Sequence, residues 1–358
     1  MAIYHLSAKI VSRKEGRSVV AAAAYRSGES LHDHHVGQTF DYTRKAGVDH
    51  TEILAPPESP PWIHDRETLW NAVERVERRK DAQLAREIEI GLPIELTKEQ
   101  QVDLLRDFTQ RTFVATGTVA DIALHRDNTE NPHAHVLLTM RDLTTEGFGK
   151  KRRDWSTRHA ELIKWREQWA EIANEHLLRA GLDIRIDHRT LEAQGIDLLP
   201  GRKLGLSVER QQQPDLPRNL AERIAEQHEI AAENGRRILE NPRLALHALA
   251  LSHPTFTTRD VAKYLSGRTY GAEQFNAAWL KVTAALELTM PPKTPTIADI
   301  DLLQQQAAER WHAKQRAREL GLRSKSHPTP SLSEDHDPSN SVDRHRRTYD
   351  SPEDDLEL

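Results

Sequence analysis

Polar and apolar residues alternate at the start of the chain and then recur with helical spacing. In AIYHLSAKIV, the polar residues His5, Ser7 and Lys9 share one strand phase and apolar residues take the other, which predicts a buried strand. SVVAAAAYRSG follows, and its run of alanines favours a helix that Gly28 ends. Tyr25 therefore lies near the C-terminus of that helix.

The next segments predict a loop, a helix and a second strand. Residues 32–61 contain a proline cluster and no clear periodicity, so we expect irregular structure there. Apolar residues at helical spacing in DRETLWNAVERVERRKDAQLA predict one long charged helix. REIEIGLP then alternates, which places Glu87 and Glu89 on one face of a strand and two isoleucines on the other.

The middle of the chain completes an α+β pattern. Thr97-x-x-Gln100 is a capping pattern that begins an amphipathic helix. The apolar runs TVADIALH and HAHVLLTM are joined by RDNTENP, which predicts an antiparallel pair with a seven-residue loop. A further helix is predicted over 157–180, ahead of the strand-like IRIDHR. This interleaving predicts an antiparallel sheet covered by helices.

The character of the chain changes near residue 205. Strand signals stop there, and glutamine, glutamate and arginine dominate helical segments that prolines interrupt. We therefore expect an N-terminal domain over 1–205 and a helical region over 206–321. The tail over 322–358 has too little apolar surface to fold alone, so we expect it to be disordered.

Composition limits the class of protein and the type of metal site. The 358 residues contain no apolar run close to the ~20 residues that span a bilayer, and the N-terminus lacks the apolar core of a signal peptide, so a cytoplasmic protein without membrane insertion is expected. The absence of cysteine leaves histidine and carboxylate as metal ligands. The net charge of -5 gives no global sign of a nucleic-acid binder, although a local basic groove can coexist with it.

Three histidines in LHRDNTENPHAHV carry the strongest chemical signal. His133 and His135 are two residues apart in a strand and project to one face, and the predicted hairpin brings His125 opposite them. Three converging imidazoles predict a divalent metal site with open positions for substrate or water. The alternative is three unrelated surface histidines.

Three other residues are candidates for the same site. Tyr25 is either a packed helix aromatic or a nucleophile that forms a covalent phosphodiester. Glu87 either orients one of the histidines, completes the set of metal ligands, or lies on a solvated strand face. Asp127 could orient a ligand or accept the tyrosine proton, but we favour a role in the turn.

Basic residues beside an aromatic ring predict contact with single-stranded DNA. GKKRRDW combines positive charge with a ring on which a base can stack, although such runs are often only solvated. Arg189 shares a strand phase with Asp187, so it could bind a phosphate or pair with that aspartate. The candidates for DNA binding are Lys150, Lys151, Arg152, Arg153, Trp155 and Arg189.

Four segments, in consecutive order over about residues 1–205, carry a resemblance. They are MAIYHLSAKIVSRKEGRSVVAAAAYRSGE, LWNAVERVERRKDAQLAREIEIGLP, HRDNTENPHAHVLLTMR and WAEIANEHLLRAGLDIRIDHRTLEAQGID. Together they resemble the MobA/MobL relaxases, conjugative nickases of the His-hydrophobic-His endonuclease superfamily, and imply the relaxase fold. TFTTRDVAKYLSG and AEQFNAAWLKV resemble the connector between the relaxase and helicase parts of larger TraA-type nickases.

The resemblance implies an activity and assigns roles. One strand of plasmid DNA would be cut at the nic site of the transfer origin and religated after transfer. Tyr25 matches the nucleophile that becomes joined to the 5′-phosphate, and His125, His133 and His135 match the metal ligands. The implied metal is Mg²⁺ or Mn²⁺, and the all-nitrogen ligand set also suits Zn²⁺.

The expected partners follow from the same resemblance and from a missing motif. The sequence contains no G-x-x-x-x-G-K-[ST] loop, so we expect a separate helicase, a coupling protein and relaxosome accessory proteins. One alternative is a rolling-circle replication initiator, which the order of Tyr25 before His125 disfavours. The others are a non-catalytic DNA-binding mobilisation accessory protein and a metallohydrolase that forms no protein–DNA adduct.

Overall fold

A computed structural model describes residues 4–129, 131–152, 158–201 and 218–287. In chain order its strands are β1 Leu6–Ser12, β2 Ser30–Asp33, β3 Gln38–Asp41, β4 Val48–Leu54, β5 Gln83–Gly91, β6 Ala120–His125, β7 His133–Thr139, β8 Arg141–Thr144 and β9 Gly147–Lys151. Its α-helices are α1 Val19–Ser27, α2 Arg66–Val76, α3 Lys98–Thr112, α4 Arg158–Arg179, α5 Arg218–Glu240, α6 Arg243–Ser252, α7 Thr258–Ser266 and α8 Gly271–Glu287.

The central element is a five-stranded antiparallel sheet in the order β1-β5-β7-β6-β4. Two pairs outside it, β2 with β3 and β8 with β9, form separate small hairpins. β6 and β7 pair so that His125 lies opposite His133, which confirms the predicted hairpin. Two of the histidines that the sequence singled out, His125 and His133, thus border the loop of the central hairpin.

The two faces of the sheet are covered differently. One face packs its apolar side chains, Ile88 and Val136 among them, against α3 and α4 in a continuous core that includes Phe108 and Trp169. The other face packs α1 and α2 through a second core that contains Val20 and Trp70. α3 begins with the predicted capping box, because the Thr97 side chain and Gln100 bond each other's backbone N–H groups. The α+β fold is confirmed.

The structure corrects the expectation of an irregular segment over 32–61. That segment contains most of one small hairpin and all of the sheet strand Val48–Leu54, which pairs with β6. The strand was missed because it lies at an edge of the sheet, where its VDHTEIL side chains are only partly buried and alternate weakly. Partial exposure removes the apolar periodicity that identifies a central strand.

Two further expectations about local structure were wrong. The long charged helix ends at Val76, because the guanidinium of Arg13 bonds the backbone carbonyls of Glu74 and Glu77, and the chain turns into β5. IRIDHR forms no strand. Its backbone instead bonds other elements, with the Ile186 N–H donating to the side chain of Asn174 on α4.

The described C-terminal helices share their own apolar core. α5 to α8 pack around Leu249, Val261 and Leu265, and Ile196 and Leu198 from the preceding loop join the same cluster. The predicted domain limits at 205 and 321 stay predictions. The predicted helix before Gly321 and the predicted disordered tail lie outside the described residues.

Candidate active site

The three predicted histidines meet at one end of the sheet. His125 is the last residue of β6, His133 is the first of β7 and lies opposite it, and His135 projects to the same face two residues later. One ring nitrogen from each lies within 4.8 Å of the others. Within the described ranges, this is the one group of three or more histidine, aspartate or glutamate side chains that is spaced closely enough to hold a metal ion.

Glu87 on β5 orients one of these rings and binds the helix that carries Tyr25. Its Oε1 lies 2.8 Å from Nδ1 of His135 and accepts from Nε of Arg26 at 2.6 Å, while its Oε2 pairs with the other end of the same guanidinium. These bonds occupy both carboxylate oxygens, so the contacts support an orienting role for Glu87 more than a place among the metal ligands.

The other two rings are oriented by backbone carbonyls. Nε2 of His125 lies 2.7 Å from the carbonyl oxygen of Arg26, and Nδ1 of His133 lies 3.1 Å from that of Asn131. A carbonyl only accepts, so each of these ring nitrogens is the protonated one. The remaining nitrogen of each ring is then a lone-pair donor, which is the state that a metal ion requires.

Burial keeps these imidazoles neutral. It lowers the pKa of His125 to about 4. The bond to the Arg26 carbonyl opposes this shift, and the neighbouring His135 adds to it. Burial also lowers the pKa of His133. Burial alone would raise the pKa of the Glu87 carboxyl, but Arg26 and His135 outweigh it and hold that pKa well below its usual range. At neutral pH His125 and His133 therefore offer neutral nitrogen ligands, and together with His135 they form an all-nitrogen set that fits a divalent transition metal.

Tyr25 lies in the last turn of α1, beside this cluster in the fold but open to solvent. Its side chain is 48% exposed. The Tyr42 ring meets it edge-on with centroids 5.2 Å apart, and the Lys45 ammonium lies 3.7 Å from its ring centroid. The neighbouring residue Arg26 supplies both the carbonyl that binds His125 and the guanidinium that binds Glu87. The C-terminus of α1 is therefore fixed to the histidine cluster while the phenol stays accessible.

Asp127 lies in the loop after His125 and is mostly exposed. Its Oδ1 is 3.9 Å from Nδ1 of His133, beyond hydrogen-bond distance. Gly47 packs against its backbone with a φ of +88°, and a Cβ on that glycine would lie 2.7 Å from the Asp127 Cβ. This close approach supports the turn role that the sequence favoured.

Lys150, Lys151 and Arg152, the described part of the predicted DNA-binding run, are not brought to the histidines. Lys151 donates to Glu77 at 2.9 Å, and Arg152 donates to Thr118 at 2.7 Å. Both basic residues lie at the end of the β8–β9 hairpin, which follows the C-terminal end of β7. That end of β7 is about 20 Å along the strand from His133. Lys150 is exposed, and Arg153 and Trp155 lie outside the described residues. Arg189 pairs with Asp187, the alternative that the sequence had offered.

Sequence reasoning missed two cations of the site. Arg26 follows Tyr25 directly, but its partner Glu87 is 61 residues away, and Lys45 lies in the segment that was expected to be irregular. Burial lowers the pKa of Lys45 to about 8, with Arg26 contributing and Asp127 and Glu87 opposing the shift. The only available signal was a Tyr-Arg pair at a helix end beside a glycine.

The sequence matches the MobA/MobL family over residues 17–213, more than half of the chain. The chain belongs to the MobA/MobL family. It is 40% identical over 298 residues to the conjugal transfer protein TraA of Agrobacterium fabrum, a match that covers 74% of this chain and 27% of that protein. It is 37% identical over 267 residues to the mobilization protein MobL of Acidithiobacillus ferridurans, covering 63% of this chain and 70% of that protein.

The chain is also similar to a solved structure. The structure described as "Molecular Basis of Vancomycin Resistance Transfer in Staphylococcus aureus" is 37% identical with a TM-score of 0.50, and it covers 53% of this chain and 100% of its own. This MobA/MobL chain spans about a quarter of the length of its TraA relatives. Within the described ranges, none of its helices has the length and apolar character needed to cross a membrane.

Proposed function

We propose that this MobA/MobL protein is a plasmid mobilisation relaxase that nicks one DNA strand at the nic site of a transfer origin and later rejoins it. One observation carries the proposal. Arg26, next to the exposed Tyr25, binds His125 through its carbonyl and Glu87 through its guanidinium. The backbone beside the proposed tyrosine nucleophile is thereby fixed relative to the three-histidine ligand set.

The proposed reaction is a transesterification. The Tyr25 Oη forms a bond to the scissile phosphorus as its proton leaves, and the bond from phosphorus to the 3′ oxygen breaks. That oxygen keeps the electron pair and takes up a proton, which gives a free 3′-OH and a 5′-phosphotyrosine. Rejoining is the reverse attack of the 3′-OH, so strand transfer needs no ATP.

Three histidines of the chain are the proposed ligands of a divalent ion. Such an ion, held by His125, His133 and His135, would polarise the phosphate and stabilise negative charge on its oxygens. Neutral imidazoles suit Zn²⁺ as well as Mn²⁺, and Mg²⁺ is the harder ion for an all-nitrogen set. We propose Mg²⁺ or Mn²⁺ by family resemblance, with Zn²⁺ as the alternative that the donor set favours.

The proposed partners come from the names of the relatives and from the expected reaction. Conjugal transfer and mobilization proteins are similar to this chain over most of its length. We propose that its substrate is plasmid origin-of-transfer DNA, single-stranded at nic, and that it acts in the cytoplasm with relaxosome accessory proteins, a coupling protein and a separate helicase.

The test is a covalent adduct on a denaturing gel. The full chain is incubated with Mn²⁺ and a cognate origin oligonucleotide labelled on the fragment downstream of the nick, and a labelled band of protein size is expected. Tyr25→Phe should abolish the band and keep DNA binding, because it removes one hydroxyl and retains the ring. Tyr270→Phe is the matched control, since Tyr270 is 54% exposed but lies in the C-terminal helical region.

Two outcomes would contradict the proposal. Cleavage that releases both fragments without an adduct would indicate an ordinary metallohydrolase. An adduct that persists in Tyr25→Phe would place the nucleophile elsewhere, and Tyr42, whose ring contacts Tyr25, would be the next candidate.

A further inference from the structure

The loop Tyr42–Gly47 lies against the proposed nucleophile, and each of its ends is bonded to a neighbouring part of the site. At one end, the Tyr42 N–H donates to the carbonyl of Glu29, just after α1. At the other, the Gly47 carbonyl accepts from the N–H of Arg126, the residue after His125, at 2.7 Å. The loop therefore spans from the helix of Tyr25 to the strand of a proposed metal ligand.

Lys45 makes two contacts with Tyr25 from this loop. Its Nζ donates to the Tyr25 carbonyl oxygen at 2.9 Å and lies 3.7 Å from the centroid of the Tyr25 ring. The carbonyl belongs to the last turn of α1, where helical carbonyls lack intrahelical partners and a cation interacts favourably with the helix dipole. The ring contact is a cation–π interaction.

The next carbonyl along the chain is also bonded by the site. His125 bonds the Arg26 carbonyl at 2.7 Å, so two successive carbonyls at the end of α1 are taken by Lys45 and by a proposed metal ligand. The Tyr42 ring packs edge-to-face with the Tyr25 ring and so restricts its rotation from a second direction. An exposed side chain at a helix end would otherwise exchange between rotamers within nanoseconds.

We propose that Lys45 is a positioning residue for the nucleophile, which fixes the Tyr25 ring and the last turn of α1 in the orientation required for attack on the scissile phosphate. This inference rests on the proposed function and adds the residue that orients its nucleophile. Orientation matters because a misplacement of about 1 Å lowers the rate of a reaction between bound groups by about a hundredfold.

The experiment compares Lys45→Met, which keeps the length of the side chain and removes the charge, with Lys45→Arg, which keeps the charge. Arg44→Met is the matched control, because it removes one positive charge from an exposed neighbour in the same loop. Three quantities are measured in the full chain: the dissociation constant for the origin oligonucleotide, the single-turnover rate of adduct formation at saturating DNA, and the fluorine NMR signal of Tyr25 in 3-fluorotyrosine-labelled protein without DNA. Tyr25→Phe assigns that signal.

We expect Lys45→Met to lower the adduct rate about tenfold to a hundredfold with the dissociation constant unchanged, and to move the Tyr25 fluorine signal. Lys45→Arg should recover most of the rate, and Arg44→Met should match the wild type in all three measurements. A Tyr25 signal that stays in place in Lys45→Met, or a rate equal to that of Arg44→Met, would overturn the inference. If the wild type forms no adduct, the proposed function fails, and the fluorine signal still decides whether Lys45 positions the ring.

Discussion

Glu87 and Asp121 are two buried carboxylates in one row of the sheet, on either side of Leu137, and they have different types of partner. The Asp121 carboxylate accepts hydrogen bonds from Nε of Arg66 at 2.8 Å and from Nε1 of Trp70 at 2.9 Å, and both donors belong to α2. These donors have no remaining lone pair, so that network is closed and joins a helix to the sheet.

The Glu87 network is open at one end. Its partner His135 bonds the carboxylate through Nδ1, which leaves the other ring nitrogen for a metal ion. Its partner Arg26 belongs to the helix that carries Tyr25. The comparison indicates that a buried carboxylate belongs to a candidate site when one of its partners still has a lone pair for a metal ion, as His135 has beside Glu87. Asp121 is equally buried, but its partners have no such lone pair, and its role is structural.

The largest effect on cleavage is expected at the open end. His133→Ala or His135→Ala should lower the adduct yield by about three orders of magnitude with little change in thermal stability, because each removes a ligand that stabilises the transition state. The matched control is His176→Ala, since His176 also bonds a carboxylate, Asp107 at 3.0 Å, but lies on α4. Variants that unfold would instead indicate a structural metal.

Removing the metal should have an effect of the same kind in the unaltered protein. Excess chelator is expected to abolish cleavage and leave the unfolding temperature nearly unchanged, because apolar cores on both faces hold the sheet together. Cleavage and thermal unfolding are measured on one sample before and after chelation, and readdition of Mn²⁺, Mg²⁺ or Zn²⁺ identifies the competent ion. Full cleavage in excess chelator would contradict the proposal that the site needs a metal ion.

A smaller effect is expected from the residue that orients the ligand. Glu87→Gln should weaken the apparent affinity for Mn²⁺ about tenfold to a hundredfold, because the amide supports the His135 imidazole less strongly than a carboxylate does. Titration of cleavage with Mn²⁺ measures it. Glu89→Gln, on the same strand face, serves as control and should shift the titration less. Equal shifts in the two variants would remove the distinction between Glu87 and its neighbour.

The smallest effect on cleavage, but a large one on stability, is expected in the closed network. Asp121→Asn should lower the free energy of unfolding by about 3 kcal/mol, because it leaves the buried guanidinium of Arg66 without its main counter-charge. Urea unfolding measures the loss, and the adduct rate below the transition should equal that of the wild type. A folded Asp121→Asn protein that no longer cleaves would show that this network also belongs to the site.

The sequence alone determined most of the local elements and the cluster of three histidines. Strand alternation placed His133 and His135 on one face, and a short polar loop between two apolar runs placed His125 opposite them. The capping box at Thr97 and the glycine after α1 likewise fixed helix ends. These signals depend on residues a few positions apart, which share a strand, a turn or a helix end and so need no knowledge of the fold.

Only the tertiary structure decided how those elements combine into a site. Arg26 and Glu87 are 61 residues apart. Lys45 contacts Tyr25 from the loop between β3 and β4, two strands that show no clear alternation of polar and apolar residues. Lys151, one of the two lysines of GKKRRDW predicted to contact DNA, donates to Glu77, 74 residues away. A charge in a sequence carries no record of its partner, because ion pairs form wherever packing of the apolar cores brings opposite charges together.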